Sequence, residues 1–171
     1  MRLIKNFDSL AKNDTRKICL EIIEAGLSSI QPQKVIRENI NLKEDTLIIQ
    51  NQKINLKKFE RIFILGFGKG SAGLSKYIEE ILGSLLTKGY VIDLEQEKFT
   101  NTEFTQGTHP LPSEPNLMFT KKAIEQLSNL PAGRQGLTIK DLVIVVIAGG
   151  GSALFEDPYR ITLDKLIEVN K

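Results

Sequence analysis

Apolar residues recur at helical steps near the start of the chain. Ile18, Ile22, Ala25 and Ile30 form one row, with Cys19, Ile23 and Leu27 beside it, which predicts a helix over residues 14–30. Asn13 or Asp14 can cap it, because a short side-chain oxygen accepts a free amide of the first turn. Pro32 suits the first position of a second helix over Gln33–Asn39, since its missing N–H is not needed there. Thr46–Ile49 and Lys53–Leu56 flank Asn51–Gln52 and predict a hairpin whose turn lacks the usual glycine.

The period then changes. Arg61–Leu65 is a short apolar strand, Gly66–Gly70 a glycine turn, and Ser71–Leu86 an amphipathic helix. Lys88–Gly89 breaks that helix, and Tyr90–Asp93 starts a second strand. Strand, helix and strand with short connections make a βαβ unit, which requires parallel pairing. Residues 94–106 are polar and give no clear element. Ser113 can cap a helix reaching Asn129, with Pro115 in its first turn. The run Pro131–Gly136 suits neither helix nor strand and is expected to be an exposed loop with a solvated Arg134. Leu142–Ala148 is continuously apolar, as in a central parallel strand buried on both faces. Gly149–Ser152 follows it, and Thr162 caps a last helical segment over Leu163–Lys171. These elements predict an α/β fold: a Rossmann-like parallel sheet with helices on both faces.

Composition narrows the function. Hydrophobic residues make up 41% of the 171 and charged residues 26%, as in a globular chain rather than a disordered one. The net charge of +2 leaves no basic footprint for nucleic acid or an anionic membrane. Cys19 stands alone, so neither a disulfide nor a cysteine metal cluster forms within one chain. The longest apolar run, 142–148, is far short of the roughly 20 residues that span a bilayer. The opening stretch Met1–Asp8 meets a charge too early for a secretory signal, so a cytoplasmic domain is expected.

Two glycine-rich turns follow two predicted strands. In an open parallel sheet such turns lie at the carboxyl edge, where ligands bind. Glycine lets the backbone approach a phosphate and aim its amides at it, and the next helix adds its positive end. Lys69, in Gly66-Phe67-Gly68-Lys69-Gly70-Ser71, can project an ammonium toward the same anion. The turn is not a Walker A loop, because the earlier glycine is missing and Gly70 follows the lysine. A rival frame, Gly68-Lys69-Gly70-Ser71-Ala72-Gly73, satisfies G-x-G-x-x-G, with Asp93 where a ribose-binding acid would lie. That frame reads as NAD(P)-dependent dehydrogenase chemistry, although a lysine would crowd its pyrophosphate turn. Gly149-Gly150-Gly151-Ser152 offers amides and one hydroxyl to an oxyanion. It lacks the trailing glycine of a nucleophile elbow, which argues against a hydrolase. His109, the single histidine, lies in Gly107-Thr108-His109-Pro110-Leu111-Pro112-Ser113-Glu114, where two prolines predict an extended, ordered segment able to present His109 or Glu114 to a pocket.

The order Gly-x-Gly-Lys, Gly-x-His-Pro-x-Pro-x-Glu and Gly-Gly-Gly-Ser-Ala-Leu resembles the class II glycerate kinases. In that family a DUF4147-type α/β domain precedes a MOFRL domain. The resemblance runs from the Ile18–Asn39 helices to Lys165. It implies ATP-dependent, Mg2+-assisted phosphorylation of D-glycerate, usually to 2-phosphoglycerate; some relatives carry a hydroxypyruvate reductase label. By position Lys69 matches the family's active-site lysine, and Gly66 and Gly68 match its turn. Gly149, Gly150, Gly151 and Ser152 match the second loop, while His109, Pro110 and Glu114 match the middle motif. Nucleotide- and substrate-binding roles are therefore expected for these residues, a catalytic one for Lys69, and no magnesium ligand can be named. Three positions depart from the pattern: Gly70 replaces Ala, Ala148 replaces the Ser before the glycines, and Ser113 replaces a common Asp. Family members are more than twice as long. The resemblance thus implies that residues 1–171 are the first part of a DUF4147-type domain, without the rest of that domain, a downstream catalytic arginine or the MOFRL domain, and are inactive alone. An anion-binding segment without catalysis is the remaining alternative; oligomeric state stays open, a homo-oligomer included.

Overall fold

The computed structural model describes residues 2–128 and 136–171. After a short turn of helix, α1 (Phe7–Leu10), come α2 (Asp14–Ser29) and α3 (Pro32–Asn39). Asn13 caps α2 as predicted, its side chain accepting from the Arg16 amide at 2.9 Å, and Pro32 sits in the first turn of α3. A three-stranded antiparallel meander follows: β1 (Ile40–Lys43), β2 (Thr46–Ile49) and β3 (Gln52–Asn55). The predicted hairpin is its second half. β1 goes unpredicted because Ile40-Asn41-Leu42-Lys43 is too short a run to show a period.

The second sheet organises the molecule. Its strands are β4 (Arg61–Phe67), β5 (Lys88–Asp93), β6 (Thr102–Gln106) and β7 (Asp141–Ile147), all parallel, in the order β6-β5-β4-β7. α4 (Ser71–Leu82) joins β4 to β5, and α5 (Glu114–Ser128) lies between β6 and β7. Side chains alternate across the sheet as the pleat requires. Ile62, Ile64, Val91 and Val146 enter one core with Leu82 of α4, Ile36 of α3 and Leu47 of the meander. Phe63, Leu65, Tyr90 and Ile92 enter the other with Phe119, Ala123 and Leu127 of α5. Each fully buried aliphatic side chain here contributes about 1.5–3 kcal/mol. The result is the expected parallel sheet with helices on both faces.

Four features differ from expectation. Among the described residues the apolar strand β7 has a neighbour on one side only, not the central place expected of it, with Val145 49% and Ile147 68% exposed. β4 and β5 are the strands flanked on both sides. The polar stretch 94–106 holds β6 and a crossover with no helix. β6 has a single strongly apolar residue, Phe104, which hid it from the pattern. β4 runs on through Phe67, so Gly66 is a strand residue and not part of the turn. A Cβ at Gly66 would stand 2.5 Å from Ser75 Oγ and 3.0 Å from Val91, so this glycine lets α4 lie close on the sheet. Finally, α4 stops at Leu82, and Lys88 and Gly89 belong to β5 instead of interrupting a helix.

The chain ends in α6 (Gly151–Leu154) and α7 (Leu163–Val169), the latter capped by Thr162 as predicted. Of the loop expected over 131–136, residues 131–135 with Arg134 lie outside the described residues. Among the described residues no helix is long and apolar enough to cross a membrane.

Candidate functional site

Taken in sequence order, the parallel strands have the spatial order 3-2-1-4, so the topological switch point lies between β4 and β7. Ligands of open α/β sheets bind in the crevice at that point, outside the carboxyl ends of the strands. Both glycine turns sit there. Ala148 N donates to Phe67 O at 3.0 Å and Lys69 N to Gly149 O at 2.7 Å, which joins the two turns by main-chain bonds. Gly68, at φ +105°, lies directly against the Ala148 carbonyl, an approach that no residue with a Cβ could make. The Lys69 turn and the triple glycine thus share one rim, as the functional reading requires.

His109 joins them. Gly150 has φ +73°, and a Cβ there would lie 2.6 Å from His109 Nε2 and 3.2 Å from Lys69 Cε. The imidazole and the lysine stem therefore meet over Gly150. Lys69 itself is exposed and forms no ion pair among the described residues. Gly151 packs beneath the Phe67 ring, and Phe67 stacks on Phe155 at 4.6 Å, tying the end of β4 to the end of α6. The amides of Gly151 and Ser152 open α6 and so have no acceptor within it. Ser152 is exposed beside them.

The first turn is arranged differently from the phosphate cradle read from sequence. Asp93, 2% exposed at the end of β5, accepts Gly70 N at 2.8 Å and Ala72 N at 2.9 Å through Oδ2, and Leu94 N at 2.6 Å through Oδ1. A carboxylate of the chain itself thus occupies the positive end of α4, where an external phosphate was expected. This also removes the basis of the dinucleotide frame. Asp93 is engaged with backbone instead of open to a ribose. Gly73, the third glycine, faces Pro32 of α3, 3.2 Å from where its Cβ would be, and not the sheet.

The His109 segment turns where an extended run was expected: Thr108 Oγ1 donates to Leu111 O at 2.8 Å, and the His109–Pro110 peptide is cis. What holds it is Asn116, fully buried in α5 and missed in the sequence. Its Oδ1 accepts Thr108 N at 2.9 Å and Ser113 Oγ at 3.0 Å. Its Nδ2 donates to Thr108 O at 2.9 Å and to Ala153 O of α6 at 2.7 Å. One side chain therefore fastens the His109 turn to the helix behind the triple glycine. The available signal was a polar residue on the face of α5 that Leu117, Phe119, Thr120, Ala123 and Leu127 bury. Glu114 stands in the first turn of α5, exposed, and the structure brings it into no hydrogen bond or ion pair among the described residues. Glu156, just past α6, is half-buried with Oε2 unpaired, and burial pushes its carboxyl above the usual range.

A groove of about 630 Å³ opens on the other side of Lys69. It runs between the start of α3 and the start of α4 and includes Pro32, Tyr77 and Leu94, along with Lys69 and Gly70.

The family described as a domain of unknown function, DUF4147, matches residues 18–171. The chain belongs to the DUF4147 family. Among curated proteins it is 31% identical to a glycerate 2-kinase of Picrophilus torridus, over 99% of this chain and 38% of that protein. It is 30% identical to a glycerate 2-kinase of Pyrococcus horikoshii, over 90% of this chain and 33% of that one. Among solved structures, a Pyrococcus horikoshii OT3 protein superposes with a TM-score of 0.73 at 24% identity, covering 89% of this chain and 33% of that chain. A glycerate kinase from Thermotoga maritima follows, with a TM-score of 0.68 at 22% identity, covering 90% of this chain and 33% of that chain. These superpositions show that this DUF4147 chain shares their fold. It spans about a third of the length of the curated relatives it matches.

Proposed function

We propose that this DUF4147 segment is the anion-binding part of a glycerate kinase that transfers the γ-phosphoryl group of ATP to a hydroxyl of D-glycerate, giving 2-phosphoglycerate. One observation carries the reading: the Lys69 turn is bonded directly to the Gly149–Gly151 turn, with His109 over Gly150. Phosphoryl transfer depends mainly on positioning and charge neutralisation, which an unpaired ammonium beside oriented amides can supply. In this reading Lys69 meets the transferred phosphate or the glycerate carboxylate. The amides of Gly150, Gly151 and Ser152 receive the remaining oxygens, and His109 lines the acceptor side. Gly66 acts through packing, Gly68 and Gly149 through the contact between turns, and Glu114 stands at the margin of the site.

The donor set fits ATP through Lys69 and these amides. For Mg2+, no three His, Cys, Asp or Glu side chains among the described residues could hold an ion together. Magnesium commonly binds through substrate phosphates, waters and one or two carboxylates, so it would enter with the nucleotide and supply charge neutralisation. The names of the relatives support the substrate. Because the chain spans about a third of their length, the activity is assigned to a protein containing this segment.

The test is a coupled ADP-release assay with D-glycerate and ATP on a protein containing residues 1–171, unaltered and as Lys69→Ala. Loss of a charge-stabilising group should lower kcat by about 100-fold or more while the thermal unfolding midpoint holds. Unchanged turnover in Lys69→Ala would overturn the role of the lysine. Absence of glycerate-dependent ADP release in the unaltered protein would overturn the reaction.

A further inference from the structure

We infer that the groove beside Lys69 is a nucleoside subsite, taking the base and ribose of the phosphoryl donor while Lys69 receives its phosphates at the mouth. The inference rests on the phosphotransferase reading and adds where the donor lies. Three observations carry it.

The first is position. Lys69 and Gly70 belong to the wall of the groove, whereas His109 and the three glycines do not. Lys69 therefore lines the groove and also stands on the rim it shares with His109 and the triple glycine, so one ammonium can meet a donor lying in the groove and an acceptor at that rim. The second is charge. Besides Lys69, the groove carries Asp93, Glu95 and Glu97. Glu97 is paired with Lys76 at 3.0 Å, and Asp93 is engaged by backbone amides. Glu95 is exposed and forms no ion pair among the described residues. An acidic wall repels a carboxylate or a polyphosphate, so glycerate and the phosphate chain are disfavoured inside it. Glu95, the carboxylate left free there, can accept hydrogen bonds from ribose hydroxyls or an exocyclic amine.

The third observation is shape. At about 630 Å³ the groove lies in the range of small-molecule sites and is far roomier than a three-carbon acid needs. The Pro32 and Tyr77 rings and Leu94 give it flat apolar surface for a base. Tyr77 is half-buried against the core between α3 and α4, so its ring is held in place. Gly73 allows Pro32 to come this close to α4. Asp93 completes the argument. By holding the Gly70 and Ala72 amides it closes the start of α4 to phosphate and leaves Lys69 to receive it.

The experiment is calorimetric titration of the full protein containing residues 1–171 with adenosine, ATP and D-glycerate, unaltered and as Glu95→Ala, Tyr77→Ala, Tyr77→Phe and Lys69→Ala. Adenosine, which carries no phosphate, isolates the groove. Loss of the carboxylate acceptor in Glu95→Ala should weaken adenosine about tenfold. Tyr77→Ala should weaken it by about as much, and Tyr77→Phe should leave it unchanged. Lys69→Ala should weaken ATP and spare adenosine, and glycerate should be indifferent to the changes at 77 and 95. Glu95 is exposed, so its variant decides the matter if Tyr77→Ala does not fold. ATP binding that falls in Lys69→Ala and is unmoved by Glu95→Ala would overturn the subsite and leave the phosphotransferase reading standing. A chain that binds neither adenosine nor ATP would also overturn the subsite, and the ADP-release assay judges the reaction separately.

Discussion

Replacing Asn116 with alanine removes the side chain that fastens the His109 turn to α6. Its four hydrogen bonds do not count equally. The bond with Ser113 Oγ is cheap to lose, because that hydroxyl can turn to water. The two with the Thr108 peptide are part-buried, and each should be worth about 1 kcal/mol net. The Ala153 carbonyl is buried and would be left without this donor, which costs about 1–3 kcal/mol. Together these give roughly 3–5 kcal/mol, a large share of the 5–15 kcal/mol that stabilises a typical domain. Urea unfolding followed by circular dichroism should show a lower midpoint at constant slope, which separates lost stability from altered compactness. His109 is the single histidine, so its ring proton resonances are assignable without labelling, and they should shift as the imidazole leaves Gly150. A stability loss below about 1 kcal/mol with unmoved His109 resonances would refute the claim that Asn116 sets the position of this turn.

Two further changes test the frame of the site. Arg61 and Asp141 open β4 and β7 as register partners and form a two-pronged ion pair, Nε to Oδ1 at 2.7 Å and Nη2 to Oδ2 at 2.6 Å. The guanidinium beside it lowers the Asp141 carboxyl from 3.8 to about 2, a difference equivalent to about 2 kcal/mol. A carboxylate depressed in the folded state stabilises above its unfolded value, so this share is present above about pH 4 and disappears as pH falls toward 2. Urea midpoints across that window should decline, and Asp141→Asn should be less stable at neutral pH with a shallower decline; equal slopes in both proteins would contradict the assignment. Asp93→Ala should cost about 2–4 kcal/mol by calorimetry, because three amides lose a charged acceptor. Inorganic phosphate should recover part of that loss by taking the vacated place at α4, and a midpoint insensitive to phosphate would contradict the idea that Asp93 stands where an anion would.

Much of this arrangement was legible because it rests on short-range patterns. The βαβ unit shows as a buried run, a glycine turn and an amphipathic period, and the two turns had to share an edge once their strands were parallel. Sequence did not disclose which strand is central. Among the described residues β7, the most continuously apolar strand, pairs with β4 alone, in a chain that spans about a third of the length of its curated relatives. β6 was hidden because a half-buried edge strand needs few apolar residues. Gly66 and Gly68 look alike in the sequence and do different things: one lets a helix approach, the other lets a second loop approach. Asp93 and Asn116 were harder still. Both are polar residues whose partners lie on other elements, so their roles appear only when the chain is folded.

Asp93 changes how the resemblance to phosphate-binding loops should be understood. A glycine turn before a helix ordinarily implies that the turn's own amides hold the anion. Here Gly70 and Ala72 are satisfied internally, and the positive charge left facing outward is the Lys69 ammonium. An ammonium on a flexible stem fixes no geometry by itself. It acquires one because the Lys69 backbone is bonded to Gly149 and its stem lies against Gly150 beneath His109. The site therefore depends on the pairing of β4 with β7, two strands far apart in sequence, and not on a single strand–turn–helix unit. It follows that a change at Asp141 or Asn116, neither of which touches Lys69, should reach the lysine through the strands and the turn that hold it, whereas a change confined to α4 beyond its first turn should not.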